Sequence, residues 1–163
     1  MNDIKVRSFG MADLIRIQDI AFEAWQPIFR GYRQQISDEL FEQSRPDPDC
    51  KRKEILDRAE NSPERIIVAV DNNGNIAGFA TYDLDFDRKI GIIGSNAVDK
   101  TLGLKGVGQA MYAEIFRRFK EAGMTAAQVT TGLDDGHAPA RKAYQRAGFG
   151  EFSLPSVTYF KKL

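Results

Sequence analysis

The chain has 163 residues, 42% hydrophobic and 28% charged, with 23 Lys plus Arg offset by 23 Asp plus Glu. That length supports one hydrophobic core, burying roughly 70% of the unfolded surface, and leaves no room for two full domains. No apolar run approaches the ~18 residues that span a bilayer, the balanced charge gives no global field to hold nucleic acid, and the single Cys50 excludes an internal disulfide and a zinc site built of cysteines.

The opening, Met1 to Arg7, mixes charge with apolar side chains and lacks the features of a secretory signal, so a cytoplasmic location is expected. Ile4 to Arg7 alternates as a short strand does, and Gly10 to Asp13 supplies turn and helix-start chemistry. Leu14, Ile17, Ile20, Ala21, Ala24 and Trp25 place an apolar stripe on one helix face, and the pattern predicts that this helix stops before Pro27. Gln26 to Pro48 reads as loosely helical, with short pieces broken by Pro46 and Pro48. A helix capped by Asp49 runs through about Ala59 and ends at Ser62-Pro63.

From Arg65 the period changes. Ile66 to Val70 is a continuous β-branched run, Asp71 to Gly74 a turn, and Ile76 to Leu84 a second strand, which together predict a hairpin. Ile90 to Val98 is a third strand whose two glycines and polar Ser95 and Asn96 predict a bulge or break. A glycine loop, Gly103 to Gly108, leads into a helix with Met111, Ile115 and Phe119 on one face, ending at Ala122-Gly123. Ala126 to Thr131 is a strand, Ala138 to Ala147 a helix stopped by Gly148, and Phe149 to Leu163 two further strands around Leu154-Pro155. Hairpins mixed with strand-helix-strand crossovers imply one α/β (α+β) domain over residues 1–163, a mixed sheet with helices packed on it.

The sharpest chemical signal is Gly103-Leu104-Lys105-Gly106-Val107-Gly108. Between a strand and a helix start, successive backbone N–H groups and the positive helix end can grip phosphate oxygens. Gly106 and Gly108 allow a pyrophosphate to touch backbone, and Lys105 adds a cation at the rim. The plain alternative is a tight turn with a solvated lysine. Two nucleotide motifs fail: Gln109 and Ala110 stand where a phosphate-binding loop needs Lys and Ser or Thr. Met111 and the Gln128 to Thr131 strand lack the small residue and the acid of a dinucleotide fingerprint.

A second constellation is Ala140, Tyr144, Gly148 and Phe149. Together with Val98, Gly106 and Gly108 it resembles the GNAT superfamily of N-acetyltransferases, whose acetyl-CoA loop reads [RQ]-x-x-G-x-[GA] and whose later segment reads N-x-x-A-x-x-x-Y-x-x-x-G-F. The likeness runs from about Arg65 to the C-terminus, where Val157 to Lys161 is similar to the family's last strand. Gly103 stands in place of the usual Arg or Gln, and His137 in place of the usual Asn.

The resemblance implies a mostly antiparallel sheet of about seven strands with a splayed central pair. It also implies acetyl-CoA as cosubstrate, no metal, and a primary amine of a small molecule or peptide as acceptor. Neither nucleic acid nor a membrane is an expected partner, and the reading is compatible with a homodimer. The pantetheine arm would pair with backbone near Val98, the pyrophosphate would sit on Lys105, Gly106, Val107, Gly108 and Gln109, and His137 would alter a polar contact to the arm. Tyr144 matches the tyrosine proposed to protonate the departing thiolate; a phenol, with an ordinary pKa near ~10, is protonated at neutral pH.

The glutamate that many relatives use as base has no counterpart between Ile90 and Val98, which leaves Asp83, Asp85, Glu23 and His137 as candidates. Asp83 and Asp85 are otherwise a solvated hairpin end, and His137 a loop histidine that caps the next helix. Trp25, Phe29, Tyr32 and Arg30 could wall an acceptor pocket, or the aromatics could fill the core. The alternative function is a catalytically silent domain that binds coenzyme A or a protein partner.

Overall fold

The β-branched run from Ile66 forms the most deeply buried strand of the sheet. In the computed structural model, which describes residues 4–44, 47–150 and 158–161, β2 (Ile66–Val70) holds Ile66 to Ala69 fully buried, as a strand covered on both faces requires. The sheet has five strands in the order β1-β2-β3-β4-β5, completed by β1 (Lys5–Ser8), β3 (Ile76–Asp85), β4 (Ile90–Val98) and β5 (Ala126–Val129). The first four pair antiparallel and β5 joins β4 in parallel, giving the mixed, mostly antiparallel sheet expected. The two further strands were expected after Phe149. Residues 151–157 and 162–163 lie outside the described residues, and the described pieces of that tail carry no strand.

Helices cover both faces. On one, Ile17, Ile20 and Ala21 of α1 (Leu14–Arg33) and Ile55 and Ala59 of α3 (Cys50–Asn61) pack on Ile66, Val68, Phe79 and Ala97. On the other, Val107, Met111, Tyr112, Ile115 and Phe119 of α4 (Val107–Glu121) pack on Ile67, Ala69, Ala80, Tyr82 and Ile93, with Tyr144 of α5 (Ala138–Arg146) in the same cluster. None of the described helices is long and apolar enough to cross a membrane.

Helix α1 departs from its sequence expectation and continues through Pro27 to Arg33. An interior proline costs ~3 kcal/mol, but the apolar stripe resumes beyond it with Ile28, Phe29 and Tyr32. Tyr32 meets Phe41 of α2 (Asp38–Ser44), with ring centroids 5.9 Å apart. Ile28 lies so close to Gly136 that a Cβ there would come within 3.1 Å of the Ile28 Cα. The side-chain amide of Gln26 also donates to the Phe22 carbonyl at 3.2 Å, next to the bond the proline cannot make. Tertiary contact beyond the proline thus outweighs the local penalty.

Two irregularities in β4 shape the site. Opposite Thr81 the register slips, so that Ala80 faces Asn96 while Tyr82 faces Ile93, and Gly94 and Ser95 together oppose one residue. The Thr81 hydroxyl bridges this bulge by donating to the Ser95 carbonyl at 3.2 Å. The parallel ladder with β5 runs only from Ile90 to Ile93 and ends at Val129, short of the expected Thr131. From Gly94 to Val98, β4 therefore has β3 on one edge and, among the described residues, no strand on the other.

Candidate active site

The open edge of β4 carries free backbone groups. Asp99 donates its N–H to Ala77 of β3 at 2.8 Å. Strand alternation then turns the amide groups of Val98 and Asn96 away from β3, toward the gap. Thr131 lies two residues past the last β4–β5 pair, and its buried hydroxyl has no hydrogen-bond partner among the described residues. Unpaired polar groups of this kind suit an extended, amide-bearing ligand lying in the gap as a strand would.

The gap leads to the glycine loop. Gly106 takes φ +81 and caps α4, and the first bond into the helix runs from Ala110 N–H to the Gly106 carbonyl at 2.9 Å. The N–H groups of Val107, Gly108 and Gln109 therefore have no intrahelical acceptor and point out of the positive helix end. A Cβ built at Gly106 or Gly108 would meet no atom within 4 Å. At Gly108, where φ is ordinary, the fold itself has no use for glycine. Gly103 takes φ +62 at the end of a 3-10 turn, Lys100–Leu102; a left-handed turn accounts for glycine where an Arg or Gln was looked for.

The remaining loop residues divide by role. Lys105 is exposed. The Val107 side chain is buried in the core, and the Gln109 side-chain amide donates to the Ala143 carbonyl of α5 at 3.0 Å. Val107 and Gln109 thus face the gap's far end through their backbone N–H groups.

At the bulge, Asn96 joins two tyrosines. Its Nδ2 donates to the Tyr144 Oη at 3.0 Å and to the Gly94 carbonyl at 3.0 Å, while its Oδ1 accepts from the Tyr112 hydroxyl at 2.9 Å. These partners fix the amide's orientation. Because the Tyr144 oxygen accepts from Asn96, its own O–H is left to donate. Burial pushes the Tyr144 phenol above its ordinary value, and the Asn96 and Tyr112 hydrogen bonds only partly oppose it. Tyr112 is raised further, again chiefly by burial. Both are neutral donors at physiological pH.

His137 stands at the N-terminal side of α5, where its ring Nδ1 meets Asp134 Oδ2 at 2.6 Å and its N–H meets the same carboxylate at 3.2 Å. The expected helix-capping role therefore passes to Asp134, which caps the turn before α5, and His137 makes no side-chain cap. Burial raises the Asp134 carboxyl, but the His137 contacts outweigh it and hold it below its usual range. Arg141 locks the same loop by donating to the Gly132 and Asp134 carbonyls, each at 2.7 Å.

Beside it lies a cleft of about 390 Å³ lined by Ile28, Phe29, Tyr32, Gln35, Ser44 and Asp134. Of the aromatics considered for an acceptor wall, Phe29 and Tyr32 line it, Trp25 packs against the α1/α3 core, and Arg30 is exposed. Two acids considered as bases are engaged: Asp83 takes both Arg58 amino groups at 2.5 and 2.9 Å, and Asp85 is held by Arg88 at 2.6 Å. Glu23 is exposed. Among the described residues no three His, Cys, Asp or Glu side chains gather so as to hold a metal ion.

The sequence motif singles out Tyr144 but neither Tyr112 nor Thr131, and it marks Asn96 only as a polar residue inside a strand.

Comparison with known proteins follows this geometry. Residues 22–149 match the model of the acetyltransferase (GNAT) family. No curated protein sequence matches the chain. A GNAT-family acetyltransferase from Staphylococcus aureus Mu50 superposes with a TM-score of 0.68 at 17% identity, covering 99% of this chain and 94% of that one. The PaiA N-acetyltransferase of Thermoplasma acidophilum, solved in complex with coenzyme A, gives 0.66 at 18% identity over 94% and 93% of the two chains. An aminoglycoside N-acetyltransferase in complex with CoA gives 0.63 at 15% identity over 99% and 96%. At these identities the likeness is one of fold.

Proposed function

Since the chain belongs to the GNAT acetyltransferase family, we propose that it moves an acetyl group from acetyl-CoA to a primary amine of a small molecule or peptide, by direct attack of the amine on the thioester. The observation that carries this reading is the Tyr144 hydroxyl at the open edge of β4, whose oxygen accepts from Asn96 so that its O–H serves as a donor. The residues present fit the cosubstrate. The Val98 and Asn96 amides and the orphaned Thr131 hydroxyl suit its amide-bearing arm, and the Val107 to Gln109 N–H groups suit its pyrophosphate. His137, with its ring tied to Asp134, would border the arm. Acetyl-CoA supplies an activated acyl carbon and a thiolate leaving group.

The chain's own residues do the rest. The α4 N-terminus binds by backbone, so the absence of an Arg or Gln at Gly103 removes one side chain and leaves the cradle. Asn96 orients Tyr144, and Tyr144 gives its proton to sulfur as negative charge develops there. The cleft along Ile28, Phe29 and Tyr32 would take the apolar body of the acceptor. One domain over residues 1–163 would suffice for this chemistry.

The test is a melting scan followed by thiol release. Acetyl-CoA at 100 times its dissociation constant should stabilise the protein by about 2.7 kcal/mol, ATP and NAD should not, and a panel of amines, peptides and polyamines should include an acceptor that releases free thiol. Equal stabilisation by ATP would sink the coenzyme assignment.

A further inference from the structure

An amine bound as ammonium must shed a proton before it can attack, and β4 itself carries no acid to take it. The structure brings one in from another element. On the face of β4 opposite Asn96, the Ser95 hydroxyl donates to Glu54 Oε1 of α3 at 2.5 Å. Lys51, one turn earlier on the same helix, donates to Glu54 Oε2 at 2.6 Å and to Ser95 Oγ at 3.2 Å. Lys51 is itself held over the Trp25 ring of α1, 4.5 Å from its centroid. This cluster sits on the bulge, at the point where β5 has left the sheet.

Its placement follows from strand geometry. Ser95 and Asn96 are consecutive, so their side chains leave opposite faces of β4. Asn96 and Tyr144 serve the α4/α5 face, and Ser95 and Glu54 the α1/α3 face. A group lying along the free edge between Gly94 and Val98 is therefore within reach of a proton donor from one face and a proton acceptor from the other. The α3 register explains why Glu54 reaches: Ile55 and Ala59 are buried in the core, which sets Lys51, Glu54 and Arg58 along the stripe that meets β3 and β4.

We propose that Glu54, acting through the Ser95 hydroxyl, receives the proton that the bound ammonium sheds to become the attacking amine. This rests on the acetyl-transfer reading above. The bound ammonium passes one proton to Ser95 Oγ as the Ser95 proton passes to Glu54 Oε1, and the neutral amine attacks; as the C–N bond forms and the C–S bond breaks, the departing thiolate takes the Tyr144 proton, and the N–H proton that the new amide must lose restores Tyr144. Ser95 is the group that touches the amine; Glu54 positions and drains it, and Lys51 keeps the carboxylate fixed. The charged groups facing Glu54 are Lys51 and Arg58 of its own helix. Asp83 of β3 is turned to Arg58, β4 contributes the neutral Ser95, and α1 contributes Trp25 behind Lys51.

The experiment measures kcat/KM for an accepted amine from pH 6 to 9 in the full chain, together with acetyl-CoA affinity, for wild type, Glu54→Gln, Ser95→Ala and Glu23→Gln. With Glu54 in place the rate should be nearly flat. In Glu54→Gln it should fall ~10²–10⁴-fold at pH 7. It should then climb about tenfold per pH unit, because only amine that arrives already neutral can react, and that fraction grows toward the amine pKa near ~10. Ser95→Ala should show the same shape, acetyl-CoA affinity should be unchanged in both, and Glu23→Gln should match wild type. Three results overturn the inference alone: a Glu54→Gln variant that keeps the wild-type profile, one that is slowed equally at every pH, or the steep profile appearing in Glu23→Gln. A wild type that releases no thiol with any amine overturns the acetyl-transfer reading itself, and this inference with it.

Discussion

Replacing Tyr144 by Phe removes one oxygen and keeps the ring. Tyr144 is 7% exposed and its ring packs on Tyr112 and Phe149, with centroids 5.6 and 6.0 Å away, so the α5 contact survives. What is lost is the bond from Asn96 Nδ2, and Asn96 retains the Gly94 carbonyl and the Tyr112 hydroxyl. The stability loss should be that of one hydrogen bond with its partner still mostly satisfied, about 0.5–1.5 kcal/mol, or a melting temperature lower by a few degrees. Turnover should fall far more, by ~10²–10⁴, with acetyl-CoA affinity close to wild type. Thiol release under saturating acetyl-CoA, titration of the coenzyme and a thermal melt on the same preparation separate the effects. Wild-type turnover, where chemistry is rate-limiting, would refute the assignment and leave water as the proton donor. An unchanged kcat with a raised acetyl-CoA KM would make Tyr144 a binding residue instead.

Three further outcomes follow from geometry. Gly108→Ala should leave the melting temperature unchanged or slightly raised, since its φ is ordinary and its Cβ space is open. It should nonetheless weaken acetyl-CoA about tenfold; Gly106→Ala should also cost ~1–2 kcal/mol of stability because φ is +81 there. An undiminished coenzyme-induced shift in Gly108→Ala would put the pyrophosphate elsewhere. Gly94→Ala, whose Cβ would lie 2.5 Å from the Thr81 hydroxyl, should lose ~1–3 kcal/mol in a thermal or denaturant melt, and a wild-type midpoint would mean that the bulge is not tightly built. Last, burial raises the folded pKa of Tyr112 and Tyr144 above the unfolded value near ~10. Their contribution is therefore complete below about pH 10 and is lost as pH rises above it toward the folded values. Melting temperature against pH should bend downward there, less steeply in Tyr144→Phe; identical slopes would count against the buried pair.

Most of the sheet was legible because its signals are local. The β-branched run at Ile66, the Asp71 to Gly74 turn and the Met111, Ile115, Phe119 stripe each satisfy one periodicity without help from elsewhere. Gly94, Ser95 and Asn96 broke that pattern, and the break marks the bulge. What could not be read depended on distant partners. Pro27 ends a helix by local rules, and only packing of Ile28 and Tyr32 on remote segments carries α1 past it. Tyr112 carries no sequence signal of its own, since its hydroxyl acquires meaning only when β4 brings Asn96 against it. Glu54 lies 41 residues from Ser95, on a helix whose sequence gives no sign of which strand it will cross.

The order of the sheet has a consequence for how the chain finds its fold. Strands β2, β3 and β4 are neighbours both in sequence and in space, so they can zip together across short turns. Strand β1 reaches β2 only after the whole excursion through α1, α2 and α3 has been closed, which costs roughly 2 kcal/mol more in chain entropy than closing the β2–β3 turn. The meander should therefore form early and β1 dock late, so that Val6→Ala accelerates unfolding with little change in the refolding rate. In such a scheme the bulged edge of β4 exists before α1 and α3 arrive, and those helices assemble onto a strand already interrupted.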